Sequence, residues 1–445
     1  MIFEYLMKPG IRIKRWVLLG FIGTILLSLG VGEIFIHKEY TLTSRMVCIF
    51  LGLLGLVVII IAISEGVKSI LKLINSEKIN ITINDKEVEE LIDDERLLVS
   101  GPKIVVIGGG TGLSTMLRGL KKYTNNITAI VTVGDDGGGS GKIREDFGLL
   151  PPGDIRNCIL ALADTEPIME KLLQYRFKEG RLEGQSFGNL FLAAMAGISD
   201  NFEEAVQKMS SVLAVTGKVL PVTLDDMKLI AILENGDKIE GESRIPDEAI
   251  ARKSKINRLM IEPKNAKPLV DALKAIEEAD AIIMGPGSLY TSIIPNLLVT
   301  DIADNICKSD AIKIYISNIM TQPGETDNFS VSDHLKTLIK YGGKKSVQYV
   351  IANNGTIPEN IESRYLKEGS KLVNLDREKI KNLGIEIVEE NLVKITKGYV
   401  KHDSEYLAEI IMKTVIEKEL KWDKEKILEY AYSLQKMREK RKNVE

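Results

Sequence analysis

The strongest constraint on the fold is a short apolar run that leads directly into a cluster of glycines and then into a helical pattern. Residues 104–107 are all β-branched, which is typical of a strand buried on both faces of a sheet. Four glycines lie within residues 108–112, and residues 113–120 carry apolar side chains at helical spacing. Such a turn presents backbone N–H groups and the positive end of a helix dipole to an anion. The sequence therefore predicts a phosphate-binding α/β domain, with a simple tight turn as the alternative.

The standard nucleotide fingerprints do not fit this turn. The pattern G-x-G-x-x-G fails from Gly108 and from Gly110, because its last positions are Leu113 and Thr115. The P-loop pattern fails at Asp136, which stands where its first glycine belongs. The turn therefore predicts an anionic ligand outside the standard NAD and ATP sites, and NAD binding stays a minor alternative.

A second predicted strand, residues 127–133, ends in a glycine-rich loop that carries Asp135 and Asp136. Ligands of open α/β sheets bind at the carboxyl ends of the strands, so this loop is predicted to face the same crevice as the first turn. Asp135 lies about twenty residues beyond the glycine turn, where a dinucleotide-binding protein places its ribose-binding acid. Alternatively, the two carboxylates hold Mg²⁺ against a phosphate, or they cap a helix and face solvent.

The segment LPPGDIRN at residues 150–157 is the next candidate part of the site. Its prolines and glycine stiffen a loop that presents Asp154, Arg156 and Asn157. The Arg156 guanidinium is suited to bidentate phosphate binding. The same segment also fits a helix start with Asp154 as its cap.

A third strand is predicted at residues 281–284, and it ends in the sequence GPGSLYTS. Gly285 and Gly287 form a second turn before a predicted helix, and Ser288 adds a hydroxyl group. A second anion-binding helix start that faces the first would suit a diphosphate or a large phosphorylated ligand.

Two further strands are predicted at residues 313–317 and 347–352, each followed by polar residues. Thr321 lies in the polar loop after the first of them. His334 follows in the sequence SDHL, where it is either a general base or ligand group, or part of a helix capped at Ser332. These polar clusters are predicted to lie along one crevice at the carboxyl ends of the strands.

The N-terminal region contains two apolar runs, residues 16–36 and 46–64, each of about the length that crosses roughly 30 Å of hydrocarbon as a helix. Two such runs in close succession predict a transmembrane hairpin, whereas a signal peptide has one shorter run. Basic residues precede the first run and follow the second, so both ends of the hairpin are predicted to be cytoplasmic. A buried core helix is the alternative for either run.

The composition agrees with a membrane-anchored cytoplasmic protein. The mean hydropathy of +0.03 is high for a chain with 27% charged residues, because the two apolar runs raise the average. The three cysteines are far apart, which excludes a disulfide framework and a cysteine-built zinc site and agrees with a reducing compartment. The net charge of −3 gives no general reason to bind nucleic acid.

Several longer motifs, taken together and in order, resemble the gluconeogenesis-factor family, which belongs to the superfamily of 2-phospholactate transferase. The resemblance covers nearly the whole chain between residues 103 and 405. The motifs are GGGTGLS (108–114), VGDDGGGSG (133–141), LPPGDIRN (150–157), GQSFGN (184–189), AVTGKVLPVT (214–223), GPGSLYTS (285–292) and NIMTQPGETDNFSVSDHL (318–335).

The resemblance implies a Rossmann-like α/β parallel sheet with helical additions. It also implies a UDP-sugar ligand, such as UDP-N-acetylglucosamine, and a role in cell-wall morphogenesis and cell shape on gluconeogenic carbon, with no settled catalytic activity. Asp135, Asp136 and His334 are the candidate catalytic residues, and Asp135 and Asp136 are candidate ligands of Mg²⁺. The predicted ligand-binding residues are Gly109, Gly110, Thr111, Gly112, Asp135, Asp136, Asp154, Arg156, Asn157, Asn189, Gly285, Gly287, Ser288 and Thr321.

Three positions depart from the family pattern. Gln185 stands where the motif GHSFGN has histidine, and Gly134 and Gly139 replace an alanine and a serine of ADDGGSSG. The aromatic residue that follows the double aspartate in the deazaflavin transferases has no counterpart here, which favours nucleotide-sugar binding. A Mg²⁺-dependent transferase of a phosphorylated group is the alternative function, and a scaffold without ligand is a further alternative.

These features together predict four regions. They are a transmembrane hairpin (1–64), a juxtamembrane linker (65–100), a Rossmann-like ligand-binding domain (101–403) and a C-terminal helical tail (404–445). The charged tail is predicted to be a solvated helix, with contact to anionic lipid as the alternative. We also expect a homo-oligomer, contact with cell-wall synthesis proteins, a membrane contact through residues 16–64 and no nucleic-acid partner.

Overall fold

A computed structural model of the chain describes residues 13–36, 42–76, 98 and 101–418. The chain divides into two compact units, Met1–Leu91 and Ile92–Glu445, and each unit is described by itself below. Most of the predicted linker and the part of the predicted tail after residue 418 lie outside the described residues.

The first unit contains two helices, α1 (Ile13–Ile36) and α2 (Leu42–Ser76), which pack together in antiparallel directions. Glycines line their contact. A Cβ atom on Gly30 would lie 2.5 Å from the Gly52 nitrogen, and one on Gly55 would lie 2.5 Å from the Leu27 nitrogen. Because neither position leaves room for a side chain, the two helix backbones approach each other directly.

Large apolar side chains cover the outer surface of this helix pair. Phe21 and Phe50 each expose 65% of their surface. In α2 the segment Met46–Glu65 is long and apolar enough to cross a membrane, whereas the apolar stretch of α1 within the described residues, Leu18–Gly30, is shorter. The predicted pair of apolar helices is therefore present, and one of the two has the length and composition of a membrane span.

The second unit contains twelve strands among its described residues. They are β1 (Ile104–Gly108), β2 (Ile127–Val131), β3 (Lys218–Pro221), β4 (Lys228–Leu233), β5 (Lys238–Glu240), β6 (Ile256–Glu262), β7 (Ala281–Met284), β8 (Ile312–Ile316), β9 (Tyr349–Asn353), β10 (Glu386–Glu390), β11 (Val393–Thr396) and β12 (Tyr399–His402). Seven of them form one parallel sheet in the order β10-β9-β8-β7-β1-β2-β3, which confirms the predicted α/β fold. A three-stranded sheet, β5-β4-β6, and the hairpin β11-β12 are additions to it.

Helices connect and flank the strands of the parallel sheet. They are α3 (Gly110–Leu120), α4 (Gly138–Phe147), α5 (Pro152–Leu162), α6 (Pro167–Gln174), α7 (Phe187–Gly197), α8 (Phe202–Val212), α9 (Ile245–Ala251), α10 (Val270–Glu278), α11 (Ile294–Leu298), α12 (Ile302–Lys308), α13 (Val331–Gly342), α14 (Glu359–Lys367), α15 (Arg377–Asn382) and α16 (Ser404–Lys418). Every residue of the central strands β1 and β7 is buried, as their continuous apolar sequences predict.

The order of the strands creates a crevice at the carboxyl ends of β1 and β7. Strands β2 and β3 extend the sheet on one side of β1. The chain then crosses to the other side of β1, where it forms β7. The neighbouring strands are in parallel register, with Ile104 opposite both Ile127 and Ala281. This reversal is the topological switch point where open α/β sheets bind ligands. The two glycine turns follow β1 and β7, so both lie at this point.

The prediction of a solvated C-terminal helix is wrong for its described part. One face of α16 is buried in the core through Leu407, Ile411 and Val415. The Ser404 hydroxyl donates a hydrogen bond to the Thr115 carbonyl of α3. The prediction failed because the segment contains many charged residues, although its apolar residues are spaced to form one face of a helix.

Gly119 allows α16 to approach α3 closely, and its replacement by alanine should be destabilising. A Cβ atom there would lie 2.2 Å from the Ser404 carbonyl oxygen and 2.7 Å from the Ala408 Cβ. We expect Gly119→Ala to lower the free energy of unfolding by about 1–3 kcal/mol. Urea denaturation measures this difference, and a variant as stable as the wild type would contradict the packing of α16 on α3.

Candidate functional site

The first glycine turn joins β1 to α3. Gly109 precedes the helix in an extended conformation and has no side chain to cap it, and the Asp154 carboxylate accepts the Gly110 N–H at the first turn of α3. A Cβ atom on Gly110 would lie 2.4 Å from the Asp154 Cα, so this turn touches the backbone of α5. Thr111 is exposed at the start of the helix. The predicted strand, glycine turn and helix are therefore present, and the helix N-terminus lies at the crevice, where an anion is the expected ligand.

The second glycine turn, after β7, lies in direct contact with the first. A Cβ atom on Gly112 would lie 2.0 Å from the Pro286 carbonyl oxygen. Gly287 has a φ of +155° and donates its N–H to the Asn318 Oδ1 at 3.3 Å. Because both turns consist of backbone at their contact, they form one continuous surface across the switch point. We call this surface, residues 109–112 and 285–288, the glycine cradle.

The helix predicted after the second turn differs from a regular α-helix. Residues Leu289–Ile293 form a π-helical turn, and only the short helix α11 follows it. The second turn therefore contributes backbone groups and the Ser288 hydroxyl, which accepts a hydrogen bond from Gln322 Nε2 at 2.5 Å. The helix dipole predicted at this point is not part of the cradle.

The two aspartates after β2 have separate roles. Asp135 Oδ1 accepts a hydrogen bond from the Gly137 N–H at 2.9 Å, and its Oδ2 lies 3.2 Å from the position of a Cβ on Gly153. Asp136 Oδ1 accepts a hydrogen bond from the Ser243 N–H at 2.9 Å. Asp135 therefore faces the start of α5, whereas Asp136 holds the turn at residues 242–244 against the crevice.

Three further carboxyl groups near the crevice have raised pKa values. Burial and the nearby charge of Asp135 raise the pKa of Asp154 to about 6, although the hydrogen bond that the Asp154 carboxylate accepts from the Gly110 N–H lowers this pKa. Burial and the charges of Asp135 and Asp154 raise the pKa of Glu242 to about 8. Burial raises the pKa of Glu325 to about 7. The sequence analysis did not predict Glu242, because this residue belongs to none of the motifs. The turn at residues 242–244 brings it to the crevice.

The carboxylates do not form a complete metal site by themselves. Within the described residues no group of three or more His, Cys, Asp or Glu side chains is arranged to hold a metal ion. Mg²⁺ in phosphate sites is usually held by one or two carboxylates together with phosphate oxygens and water. Asp135 and Asp154 flank the cradle and fit this smaller role, whereas the predicted ligand Asp136 is bonded to the turn at 242–244.

Helices α5 and α7 meet beside the cradle through Arg156. Its guanidinium donates hydrogen bonds to the Ser186 hydroxyl and to Asn157 Oδ1, the latter at 2.7 Å. Ser186 caps α7 by accepting the Asn189 N–H at 3.1 Å. Burial, and next the charge of Arg176, lower the pKa of Arg156. The predicted residues Arg156, Asn157 and Asn189 therefore belong to one hydrogen-bonded cluster.

Two predicted site residues lie elsewhere. His334 is fully buried between Tyr315 and Phe329, and its Nδ1 is 2.8 Å from the Ser330 carbonyl oxygen. Thr321 is buried and exchanges hydrogen bonds with the segment 370–371. Both side chains are enclosed by their neighbours in the ligand-free chain, and their place in a ligand site stays a prediction.

The comparisons with known proteins agree with this architecture. A family model described as 2-phospho-L-lactate transferase CofD matches residues 104–393. The gluconeogenesis factor of Bacillus subtilis is 45% identical over 312 residues, which are 70% of this chain and 97% of that protein. The chain belongs to the gluconeogenesis-factor family. A family member from Clostridium acetobutylicum is 56% identical over 98% of this chain and 97% of its own length.

A crystal structure of a family protein from Bacillus halodurans matches this chain with a TM-score of 0.68 and 43% identity. The structural match covers 70% of this chain and 99% of the crystallised protein. The 312 matched residues of the Bacillus subtilis protein are fewer than the second unit contains, whereas the 436 matched residues of the Clostridium protein extend into the first unit. The similarity to the Clostridium protein therefore includes the N-terminal region that contains α1 and α2.

Two of the three departures from the family motifs lie against each other. A Cβ atom on Gly139 would lie 2.9 Å from Gln185 Oε1, so the glycine that replaces serine lies against the glutamine that replaces histidine. The third departure, Gly134, has room for alanine, since its Cβ would lie 3.4 Å from Met227 Cε.

Proposed function

We propose that the chain is a membrane-anchored, cytoplasmic nucleotide-sugar-binding regulator, with UDP-N-acetylglucosamine as the ligand, that acts in cell-wall morphogenesis and cell shape on gluconeogenic carbon. The observation that carries this proposal is the direct backbone contact between the two glycine turns at the switch point, 2.0 Å between the Gly112 Cβ position and the Pro286 oxygen. The identity of the ligand comes from the family resemblance.

A diphosphate suits the cradle for physical reasons. The start of α3 offers a helix dipole and backbone N–H groups to one phosphate, with the Gly110 N–H shared with the Asp154 carboxylate. The adjoining turn places the Gly287 N–H and the Ser288 hydroxyl on the other side of the cradle, where the first bonds Asn318 and the second bonds Gln322 and Glu325. Arg156, two residues beyond Asp154 on α5, adds a positive charge to this helix.

Calorimetric titration of the full chain in detergent micelles tests the ligand class. We expect UDP-N-acetylglucosamine to bind, UDP to bind more weakly, and NAD to give no heat at the same concentration. The absence of heat with UDP-N-acetylglucosamine at millimolar concentration would overturn the proposal.

A Mg²⁺-dependent transferase is the second candidate function, and the raised pKa values of Asp154 and Glu242 beside the cradle favour it. Perturbed carboxyl groups of this kind occur at catalytic sites. Incubation of the full chain with Mg²⁺ and UDP-N-acetylglucosamine, followed by chromatography, distinguishes the two functions. A regulator leaves the ligand intact, whereas an enzyme that uses water as the acceptor releases UDP with N-acetylglucosamine, or UMP with N-acetylglucosamine 1-phosphate, and Asp135→Asn would then reduce the release.

The packing of α1 and α2 supports the proposal of a membrane hairpin with two spans. Glycines fill the contact between the helices, and the largest apolar side chains face outward. Water would disfavour this arrangement, whereas hydrocarbon favours both small residues at a helix contact and apolar residues around it.

We expect the full chain to remain in the membrane fraction after carbonate extraction, and a chain lacking residues 1–76 to be released. The hairpin would hold the full chain through burial of its apolar surface in hydrocarbon. Immunoblotting of pellet and supernatant measures the partition. Release of the full chain by carbonate would contradict the two-span anchor.

A further inference from the structure

Helix α7 has an apolar sequence on all its sides. Its eleven residues, Phe187–Gly197, include no charged residue, and Asn189 is its one polar side chain. A helix of this composition is normally buried on every side, whereas a helix at a protein surface carries charged residues on its outer face. In α7 only Gly188, Asn189 and Leu192 are buried. The outer side of α7 is therefore apolar, and the described part of this chain does not cover it.

Helix α6 extends this apolar surface. It touches the start of α7 directly, because a Cβ atom on Gly188 would lie 2.5 Å from the Leu173 carbonyl oxygen. Leu173 is the one buried residue of α6. The neighbouring apolar side chains are exposed, with Ile168 exposing 73% and Leu172 exposing 43% of their surface. The outer sides of the two helices therefore lie side by side. The surface that they form, which we call the α6–α7 face, consists of Ile168, Met169, Leu172, Leu190, Ala194 and Ile198.

The α6–α7 face has the organisation of a protein–protein interface. Interfaces have an apolar centre and a polar rim, and each partner of a standard interface buries about 800 Å², a little over half of it apolar. Here the exposed side chains of Ile168, Leu172 and Ile198 supply an apolar centre. The exposed connection between the two helices, residues 178–183, supplies a charged rim. Contiguous apolar patches with a polar border mark interaction surfaces.

The part of the chain that follows α16 begins at the opposite edge of the parallel sheet. Lys418, the last residue of α16, pairs with Glu386 of the edge strand β10 at 3.1 Å. The α6–α7 face lies on the side of the other edge strand, β3, since α8 packs on both α7 and β3. Six strand spacings of about 4.8 Å separate the two edges, which is about 29 Å. The residues after 418 therefore start far from this face.

The charges of the rim favour a second copy of this chain over a lipid surface. Lys178, Glu179, Arg181 and Glu183 are exposed and alternate in sign, so the rim carries no net charge. An anionic membrane surface attracts segments in which basic residues predominate. A twofold axis, by contrast, places a surface against an identical surface. Lys178 and Arg181 of one copy can then pair with Glu179 and Glu183 of the other, while the two apolar centres cover each other.

We propose that the α6–α7 face is the contact between two copies of this chain in a homodimer with twofold symmetry. Each copy covers the outer side of α7 and the exposed side chains of Ile168, Leu172 and Ile198 of the other copy. The rims close the contact with ion pairs. None of these residues belongs to the glycine cradle or to α1 and α2, so the dimer contact is independent of the proposed ligand and of the proposed membrane anchor.

Light scattering of the full chain in detergent micelles, corrected for bound detergent, tests this contact. At about 10 µM we expect a protein mass of twice the chain mass of 49.4 kDa. Ile168→Glu and Ile198→Glu should each raise the dissociation constant at least about hundredfold, because the symmetric contact would bury two like charges. Both variants should therefore be monomeric. Leu366→Glu, at a leucine of α14 that is 48% exposed, is the matched control and should stay dimeric.

Circular dichroism separates loss of the contact from loss of the fold. Monomeric variants with the wild-type spectrum, beside a dimeric Leu366→Glu protein, support the α6–α7 contact. Leu172→Lys repeats the test should either variant lose this spectrum. If the wild type is dimeric and the folded variants stay dimeric, another surface holds the dimer and the proposal is wrong. A monomeric wild type also overturns it, and the face would then belong to a different protein or to lipid.

Discussion

Replacing Gly112 by alanine is expected to disrupt the cradle and to abolish nucleotide-sugar binding. The new Cβ atom would lie 2.0 Å from the Pro286 carbonyl oxygen, a backbone atom that cannot rotate away. The two glycine turns must then separate, which we expect to cost about 1–3 kcal/mol of folding free energy and to misplace both turns. Thermal unfolding measures the first effect, and calorimetric titration with UDP-N-acetylglucosamine measures the second.

Gly134→Ala is the matched control for this variant. Gly134 also belongs to a loop at the carboxyl end of the sheet, but a Cβ there would make only ordinary contacts, 3.4 Å from Met227 Cε and 3.7 Å from Thr132 Oγ1. We expect wild-type stability and affinity. If the Gly112→Ala and Gly134→Ala proteins bound the ligand equally well, the placement of the ligand between the two turns would be wrong.

The affinity for an anionic ligand is expected to fall as the pH rises from about 5.5 to about 8.5 in the absence of divalent cations. The pKa values of Asp154, Glu325 and Glu242 are raised to about 6, 7 and 8, so these carboxyl groups are largely protonated at the lower end and ionise in turn. Each new charge roughly 10 Å from a phosphate adds about 1–2 kcal/mol of repulsion at an effective dielectric constant of about 20. Calorimetric titration at several pH values in EDTA measures the slope.

Two further measurements define the cause of this slope. Glu242→Gln should flatten the part of the curve around pH 8, because that group no longer ionises. Mg²⁺ should reduce the slope, since the ion pairs with both the carboxylates and the phosphate oxygens. An affinity that rises with pH, or that does not change with pH, would contradict the placement of these carboxyl groups near the ligand.

The same carboxyl groups give the ligand-free chain a pH-dependent stability. When the pKa of a carboxyl group is higher in the folded state, the folded chain binds more protons than the unfolded chain at every pH between the unfolded-state pKa and the folded-state pKa. The contribution of Asp154 to the free energy of unfolding is therefore fully present when the pH is below the ordinary pKa of 3.8. It is lost as the pH rises through the folded-state pKa of about 6. The contribution of Glu325 is lost in the same way through about 7.

The central strands and both glycine turns were predictable from the sequence because their signals are local. The strands β1 and β7 are short, continuous apolar runs, and each ends directly in glycine. The edge strand β10 has the sequence EIVEE, and its charged residues gave no strand signal. Helix α16 was mistaken for a solvated helix because its apolar residues are separated by charged ones.

The site was predictable only where its residues belong to motifs. Asp135, Asp154 and Arg156 follow strand ends or stand at a helix start, and the fold brings them to the crevice. Glu242 reaches the same crevice through a hydrogen bond between Ser243 and Asp136, a contact between residues far apart in the chain. His334 was a reasonable candidate by chemistry, but its complete burial depends on the packing of α13, which the sequence does not reveal.

Native mass spectrometry of the full chain, released from detergent micelles as purified, tests the central claim most directly. The account predicts a complex whose added mass equals that of a UDP-sugar, present in the wild type and in Gly134→Ala and absent from Gly112→Ala. Tandem fragmentation should release an intact nucleotide sugar. A wild-type chain that stays free of adducts even after incubation with UDP-N-acetylglucosamine, or one that carries a dinucleotide or deazaflavin, would contradict it.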